Sequence, residues 1–366
     1  MTYNRLPGTY FTETVAAIAT EGNTTPFFIV QTSQAIADID GQIVSFTNYE
    51  TFKTVVTGKG LNNTLAIMEE ILTEAGMMNS KFYVYSIKTD TAAAFTNILT
   101  DSANYSDMYD VIYIEETKSS TTNNIASKMG ALKSGANTCY TYGANRIIHV
   151  IPQATIADAV ANKSENVTDT SVVISTFESM VDGINSGRVT VYAPDYAGAM
   201  VGHAITTDAD VDVGYEELNT AITNLRYNFT HGEMLTLQNL GVMFIRGEKI
   251  GGNWIYRINL GVTTAFAGNG ADGLLVSRRV ADNVLREVKY ACDAFVKAPE
   301  DIDGGLVPLQ TDIDNILDRF VAARDIVEDE SELIVSEAGD VYSFNVTGKI
   351  KPIKSTIAIN VNTTLA

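Results

Sequence analysis

The first half of the chain is punctuated by short β-prone runs at spacings that leave room for a helix between each pair. Residues 27–31 read FFIVQ, an unbroken apolar run of the kind expected in a strand buried on both faces. Residues 82–87 (FYVYSI), 109–114 (YDVIYI), 146–151 (RIIHVI) and 188–193 (RVTVYA) are similar, and Pro152 and Pro194 close the last two. Between them, Leu61, Leu65, Met68, Leu72 and Ala75 fall at helical spacing before a stop at Gly76, and residues 123–133 and 172–184 also read as helix. Strands alternating with helical patterns predict βαβ units and a largely parallel sheet. The 366 residues suffice for two or three domains or one large one, and no internal repeat is visible.

The last third has a different grammar. Residues 242–246 and 254–260 read as strands around Gly251-Gly252. A long amphipathic helix is expected over 272–297, with Ala281, Val284, Val288, Ala291 and Phe295 on one stripe. A loop rich in Pro, Asp and Gly (299–308) leads to a second helix over 309–326, and acidic residues 328–332 mark its exit. The two ends are β-prone without a hydrophobic core of their own. Residues 341–366 alternate (Tyr342, Phe344, Val346, then Ile357, Ile359, Val361) and carry three lysines and no acid, on a chain whose net charge is −19.

That charge, from 44 acidic and 25 basic residues, argues against binding a phosphate backbone or an anionic membrane, both of which need Lys and Arg. The two cysteines, Cys139 and Cys292, are far apart and read as reduced, buried thiols. No secretory leader and no apolar stretch long enough to span a bilayer is recognisable, so folding in a cytoplasm is expected. Gly268, Gly270 and Gly273 spell GxGxxG, but Asp293 lies within the following helix and no second strand follows at the distance a dinucleotide site requires. Asp208, Asp210 and Asp212 imitate a calcium loop, yet the glycine is at the seventh position (Gly214) and the twelfth is Asn219. His149 sits in an apolar strand and reads as a satisfied core residue; His231-Gly-Glu233 reads as a helix start. No catalytic signature, metal set or cofactor motif stands out.

In order, the segments resemble the contractile tail sheath proteins of tailed phages and related injection machines. The opening Leu6-Pro-Gly-Thr-Tyr-Phe-Thr-Glu13 is similar to that family's Pro-Gly-x-Tyr-x-x-Glu, and Ser45-Phe-Thr-Asn-Tyr-Glu-Thr-Phe52 to its early aromatic-rich helix segment. The strongest stretch, LTLQNLGVMFIRGEKIGGNWIYRINL at 235–260, resembles its Gly-Val-x-x-Ile-Arg strand, Gly-rich turn and Trp- or Tyr-bearing strand. Val276-Ser-Arg-Arg-Val280 is similar to the Arg-Arg start of its long helix, and Gly348-Lys-Ile-Lys-Pro352 with Ile357-Ala-Ile-Asn-Val361 to its final turn and strand. The middle of the chain is shorter than the common pattern.

The resemblance implies an α/β protein: a mixed α/β core, subtilisin-like in outline, an α+β C-terminal sheath domain, and extended terminal arms. The corresponding divisions are an N-terminal arm at 1–22, an α/β domain at 23–235, a C-terminal domain at 236–340 and a C-terminal arm at 341–366. It implies a structural subunit, not an enzyme, that stacks as hexameric rings around an inner tail tube, meets baseplate and tail terminator proteins, contacts no nucleic acid directly and is assembled in a host cytoplasm into a virion tail. Arm contacts between subunits fall to Tyr10, Phe11, Tyr342, Phe344, Val346, Ile357, Ile359 and Val361, with flexible junctions near 20–25 and 337–340. Candidates to face the tube are Arg278, Arg279, Arg286 and Lys289 on the first long helix and Arg319 and Arg324 on the second. Three rival readings remain at this point: the sheath of a phage-derived bacteriocin or injection device, an α/β nucleotide-binding enzyme, and a surface-array protein, which should carry an export signal.

Overall fold

The computed structural model describes residues 25–32, 36–87, 92–115, 125–142, 144–162, 169–266, 273–296, 306–337 and 344–353. Seven strands form one sheet: β1 (Phe27–Gln31), β2 (Val44–Phe46), β3 (Phe82–Ile87), β4 (Asp110–Glu115), β5 (Ile147–Ile151), β6 (Val189–Tyr192) and β7 (Val242–Met243), in the order β2-β3-β1-β4-β5-β6-β7. Only the edge strand β2 is antiparallel to its neighbour. The helices of this region are α1 (Tyr49–Val56), α2 (Asn62–Glu74), α3 (Ala92–Ser102), α4 (Ile125–Thr141), α5 (Gln153–Asn162), α6 (Thr170–Val181), α7 (Ala197–Thr206) and α8 (His231–Asn239).

Parallel strands need crossover helices, and here the helices cover both faces. Strand side chains alternate accordingly: Phe28 and Val30 of β1 join one core with α1, α2 and α7, while Phe27 and Ile29 join the other with α3, α4 and α6. Ile112 and Ile114 of β4 divide from Val111 and Tyr113 in the same way. The expected α/β class and largely parallel sheet are therefore present. The chain runs from β1 outward to β3, then reverses and continues through β4 to β7, which puts the topological switch point between β1 and β4.

Beyond the sheet come a hairpin of β8 (Ile245–Ile250) and β9 (Asn253–Ile258), the long helix α9 (Leu275–Val296), helix α10 (Val307–Ala323) and a second hairpin of β10 (Glu332–Glu337) and β11 (Phe344–Lys349). Gly251 and Gly252 turn the first hairpin at φ of 59° and 93°, where an L side chain is disfavoured. Ala281, Val284 and Val288 of α9 and Leu309, Ile313 and Phe320 of α10 belong to the same core as one face of the main sheet. The C-terminal third is thus packed onto the sheet through a shared core.

Four sequence expectations need correction. The strand expected over 242–246 is split: Val242 and Met243 pair with Val191 and Tyr192 to complete the sheet, and β8 starts anew at Ile245. The boundary at 235 therefore cuts α8 and leaves β7 on the wrong side. Pro308 lies in the first turn of α10, where its missing N–H costs nothing, instead of ending a loop. Finally, residues 344–349 pair with 332–337 of the same chain, and Lys351 and Ile353 bond to Val327 and Asp325, so this part of the expected arm is tied to its own subunit; the expected junction at 338–340 lies outside the described residues.

The longest described segment without helix or strand, 207–230, is fixed by carboxylates accepting backbone N–H groups. Glu74 takes Asn219 and Thr220 at 2.8 and 2.7 Å, Asp195 takes Tyr227 at 2.7 Å, and Asp212 takes Gly214 at 2.8 Å and Gly261 at 3.3 Å. The imitation calcium loop is thus a backbone clamp, and among the described residues no group of three or more His, Cys, Asp or Glu could hold a metal.

Helices α2 and α7 approach closely because α7 presents Gly198 and Gly202 one turn apart. A Cβ on Gly202 would lie 2.5 Å from the Ile71 carbonyl oxygen and 2.8 Å from the Glu74 Cβ. Gly202→Ala should therefore destabilise the chain by about 1–3 kcal/mol in urea unfolding, as overpacking does. Gly232→Ala, with open space around it, should stay within about 1 kcal/mol of wild type.

Candidate functional site

In an open α/β sheet, ligands bind where the strands end at the switch point, often with an anion on a helix N-terminus. That position here is filled by the chain itself. Gln31 ends β1, Glu115 ends β4, and both are buried. Glu115 accepts from the Thr155 N–H in the first turn of α5 and from the Thr155 hydroxyl, both at 2.8 Å. Lys128 of α4, 2% exposed, lies 3.4 Å from Glu115 and donates to Gln31 at 3.1 Å, while Tyr113 donates to the same Gln31 oxygen at 2.8 Å. A carboxylate occupies the helix N-terminus that a phosphate would need, and a lysine neutralises it.

A second buried polar group links strands β4, β5 and β6. His149 of β5 uses both ring nitrogens: Nε2 lies 2.9 Å from Asp110 of β4, and Nδ1 lies 2.7 Å from the Tyr192 hydroxyl of β6. The consistent tautomer donates from Nε2 to the carboxylate and accepts the phenol at Nδ1. Burial pushes the Tyr192 hydroxyl well up, so it stays a donor. All three side chains are sealed from solvent, and the expectation of a satisfied core histidine holds. Beside them, Asp282 of α9 bonds Arg188 at 2.7 Å and Arg278 at 2.8 Å, and the Tyr109 hydroxyl stands 3.4 Å away. Asn145 donates to the Asp282 carbonyl at 3.1 Å. Arg146 donates to carbonyls of Ser102, Tyr105 and Met108, closing the C-terminal end of α3; burial pulls its guanidinium down to about 10, still charged at neutral pH. Chemically, these groups fasten α9 to the sheet.

Sequence reasoning did not find this seam. Asp282 follows Arg278 by one helical turn inside an otherwise apolar stripe, and Asp110 and Glu115 frame the apolar β4; those were the available signals. It also misjudged two arginines. Arg278 and Arg279 are 6% and 4% exposed, one held by Asp282 and the other donating to the Thr207 carbonyl at 3.0 Å, so neither presents a tube-facing charge. Arg286 is half-buried with its guanidinium 4.7 Å above the Tyr109 ring. Lys289 bonds Asp293 at 2.6 Å. Arg319 is 63% exposed at the side chain and pairs with Glu287, and Arg324 is exposed at the left-handed C-cap of α10. Of the expected arm residues, Val346 lies in β11 opposite Val335, and Phe344 begins that strand; Tyr10, Phe11, Tyr342, Ile357, Ile359 and Val361 fall outside the described residues, as does most of the GxGxxG segment. Both cysteines are buried and free.

No family model and no curated protein matches the sequence. Solved structures do match. The helical sheath of the anti-feeding prophage in its contracted state superposes with a TM-score of 0.61 at 12% identity, covering 100% of this chain and 99% of that one. The sheath of the extracellular contractile injection system PVC, also contracted, gives 0.64 at 10% identity over 100% and 99%. A sheath tail protein from Listeria innocua gives 0.57 at 9% identity over 92% and 94%. The chain therefore has the fold of contractile sheath proteins from end to end.

Removing the Asp282 carboxylate leaves two buried guanidinium groups without their shared counter-charge. Asp282→Ala should cost about 3–5 kcal/mol in urea unfolding. The sign of the pH effect also follows. Burial lifts this carboxyl from 3.8 to about 6 against the pull of Arg278 and Arg286, so the folded chain holds the proton more tightly than the unfolded chain. The stability tied to that proton is complete below about pH 4 and is lost as pH rises through about 6. Stability of wild type minus that of Asp282→Asn should fall between pH 4 and pH 7; a flat difference would contradict it.

Proposed function

We propose that this protein is the structural subunit of a contractile sheath, polymerising around an inner tube and shortening to drive that tube through a target envelope. The observation that carries the reading is the likeness of fold to sheath subunits, which covers 100% of this chain and 99% of theirs. The filled switch-point crevice agrees with it, because Glu115 and Lys128 occupy the place where a nucleotide-binding relative would hold its ligand. The reading covers a virion tail and an injection device alike, in stacked hexameric rings capped by a baseplate and a terminator.

In this reading residues 1–24 and 354–366 are the arms that join subunits. Extended segments add to sheet edges through backbone hydrogen bonds, with alternate side chains setting register. Contraction draws on energy stored at assembly: the extended lattice is metastable, and subunits with close-packed cores move as rigid bodies between two arrangements. Purified protein should therefore polymerise without nucleotide into hollow, striated tubes of the contracted lattice in negative-stain images, and nucleotides should leave its melting temperature unchanged. A chain that remains monomeric in every salt, or tubes that require ATP, would sink the proposal.

The inner tube is read here as meeting the exposed end of α10. Arg319 and Arg324 stand exposed in the last turn and C-cap of α10, and Arg286 and Lys289 on α9 are secondary candidates because both are partly buried. Exchanging both α10 arginines for glutamate should impair assembly on the tube. The loss of the exposed pair with Glu287 costs no more than about 1 kcal/mol, so the melting temperature should barely move. Normal assembly by that double variant would remove α10 from the tube interface.

A further inference from the structure

Tryptophan is on average a well-buried residue, yet Trp254 of β9, the only one in the chain, is 60% exposed. Its ring stacks on that of Tyr256, two residues on along the same strand, with centroids 6.3 Å apart and planes 16° off parallel. Both rings lie across Gly247 of β8: a Cβ there would stand 2.9 Å from Tyr256 Cε1 and 3.3 Å from Trp254 Cε3. In the β8–β9 ladder Lys249 opposes Trp254 and Gly247 opposes Tyr256, so Lys249 shares the face of the two rings. It is exposed, and no acidic side chain among the described residues pairs with it. Tyr256 packs against the main core, which ties this aromatic platform to the body. The opposite face of the hairpin is engaged within its own subunit. Arg246 lies 4.7 Å above the Tyr215 ring, Arg257 bonds Glu217 at 3.2 Å, and the Tyr215 N–H donates to the Ile258 carbonyl at 2.8 Å. Residues 215–217 thus hold one face, and the face of Gly247, Lys249, Trp254 and Tyr256 stays open.

We infer that this open face of the β8–β9 hairpin docks on a second copy of this chain, against the outer stripe of its α10. This rests on the self-assembly reading above and deepens it by naming the two surfaces that meet. The stripe consists of Val307, Thr311, Asp314 and Asp318, which recur at i, i+4, i+7 and i+11 and are all exposed. Val307 is 67% exposed, the largest value among the big apolar side chains. Asp314 accepts from Gln310 at 2.7 Å, and no cation among the described residues pairs with Asp314 or Asp318. The two surfaces are complementary in kind: rings beside an unpaired lysine on the hairpin, an apolar side chain beside unpaired carboxylates on the helix. That local attraction matters because copies of a chain with a net charge of −19 otherwise repel each other. Aromatic rings at the centre of a contact carry much of its energy, and Trp254 with Tyr256 supplies such a centre. A contact between two different surfaces is head-to-tail, so it propagates from copy to copy into rings or filaments. Arg319 points about 100° further round α10 than Asp318, which leaves it free for the tube contact proposed above.

The single tryptophan makes the test direct, because its fluorescence reports on the platform alone. In dilute full-length chain the emission should be that of a water-exposed indole, open to quenching by acrylamide. When pure chain polymerises with no other protein present, the emission should shift to the blue and the quenching should fall. Trp254→Ala should leave the melting temperature of the monomer nearly unchanged and raise the protein concentration needed for tubes by about tenfold or more, the loss expected of a central interface aromatic. Lys249→Glu and Asp314→Lys should each raise that concentration, and the two together should bring it back toward wild type. A tryptophan that stays exposed and quenchable in wild-type tubes would overturn the proposal. So would a blue shift that appears only once inner tube protein is added, since the tube would then be the occupant. Losses that simply add in the Lys249→Glu, Asp314→Lys double variant would overturn α10 as the docking partner. In each of these cases wild-type tubes still form and the sheath reading stands; wild-type chain that forms no tubes would remove that reading, and this proposal with it.

Discussion

Asp282 is the pin on which the arrangement turns. It sits on α9, yet its carboxylate is shared with Arg188 at the start of β6 and Arg278 on its own helix, and its carbonyl receives Asn145 from the start of β5. Apolar stripes alone would allow α9 to slide or rotate on the sheet, since hydrophobic contact is not directional. A buried carboxylate between two guanidinium groups tolerates little displacement, because each lost contact strands a charge. With α9 set, α10 follows through the shared core, and the second hairpin follows α10. The geometry of the C-terminal surface is thus inherited from a few charged atoms at the sheet's rim.

Much of this was legible in the sequence, and the failures have physical causes. The runs at 27–31, 82–87 and 147–151 declared themselves because strands buried on both faces must be apolar throughout. Short β2, at three residues, and α5 and α7, with little polar–apolar contrast around their circumference, left no such trace. The Arg278-Arg279 pair looked like a surface charge because arginines are rarely buried; only their partners, Asp282 four residues on and the Thr207 carbonyl seventy residues away, reveal otherwise. The β11 misassignment is of another kind. Alternation shows that a segment is a strand but carries no information on whose strand it pairs with, so 344–349 and 357–361 looked alike.

The two polar clusters divide the labour of specifying one structure. At the carboxyl ends of β1 and β4, Glu115 and Lys128 fill the crevice that this topology leaves open; across the sheet, His149 in the middle of β5 ties Asp110 of β4 to Tyr192 of β6. Each group has its partners, which is the condition under which buried polar networks fix a unique packing instead of weakening it. A subunit that keeps its shape while its neighbours move needs this kind of interior, and the functional reading draws on it as much as on the surface.

The way the chain leaves the described structure has a mechanical consequence. Residues 351 and 353 are held to 327 and 325 by bonds that lie across the chain direction, and the β10–β11 ladder continues the same geometry behind them. Tension applied along the segment that follows Ile353 would fall first on the rungs at 353 and 351, since in an antiparallel pair the pulled end of one strand lies beside the end of the other that leads back to α10. The last link before the helical body is therefore a zip that opens rung by rung from that end, and its resistance is set by a few hydrogen bonds and not by its whole length.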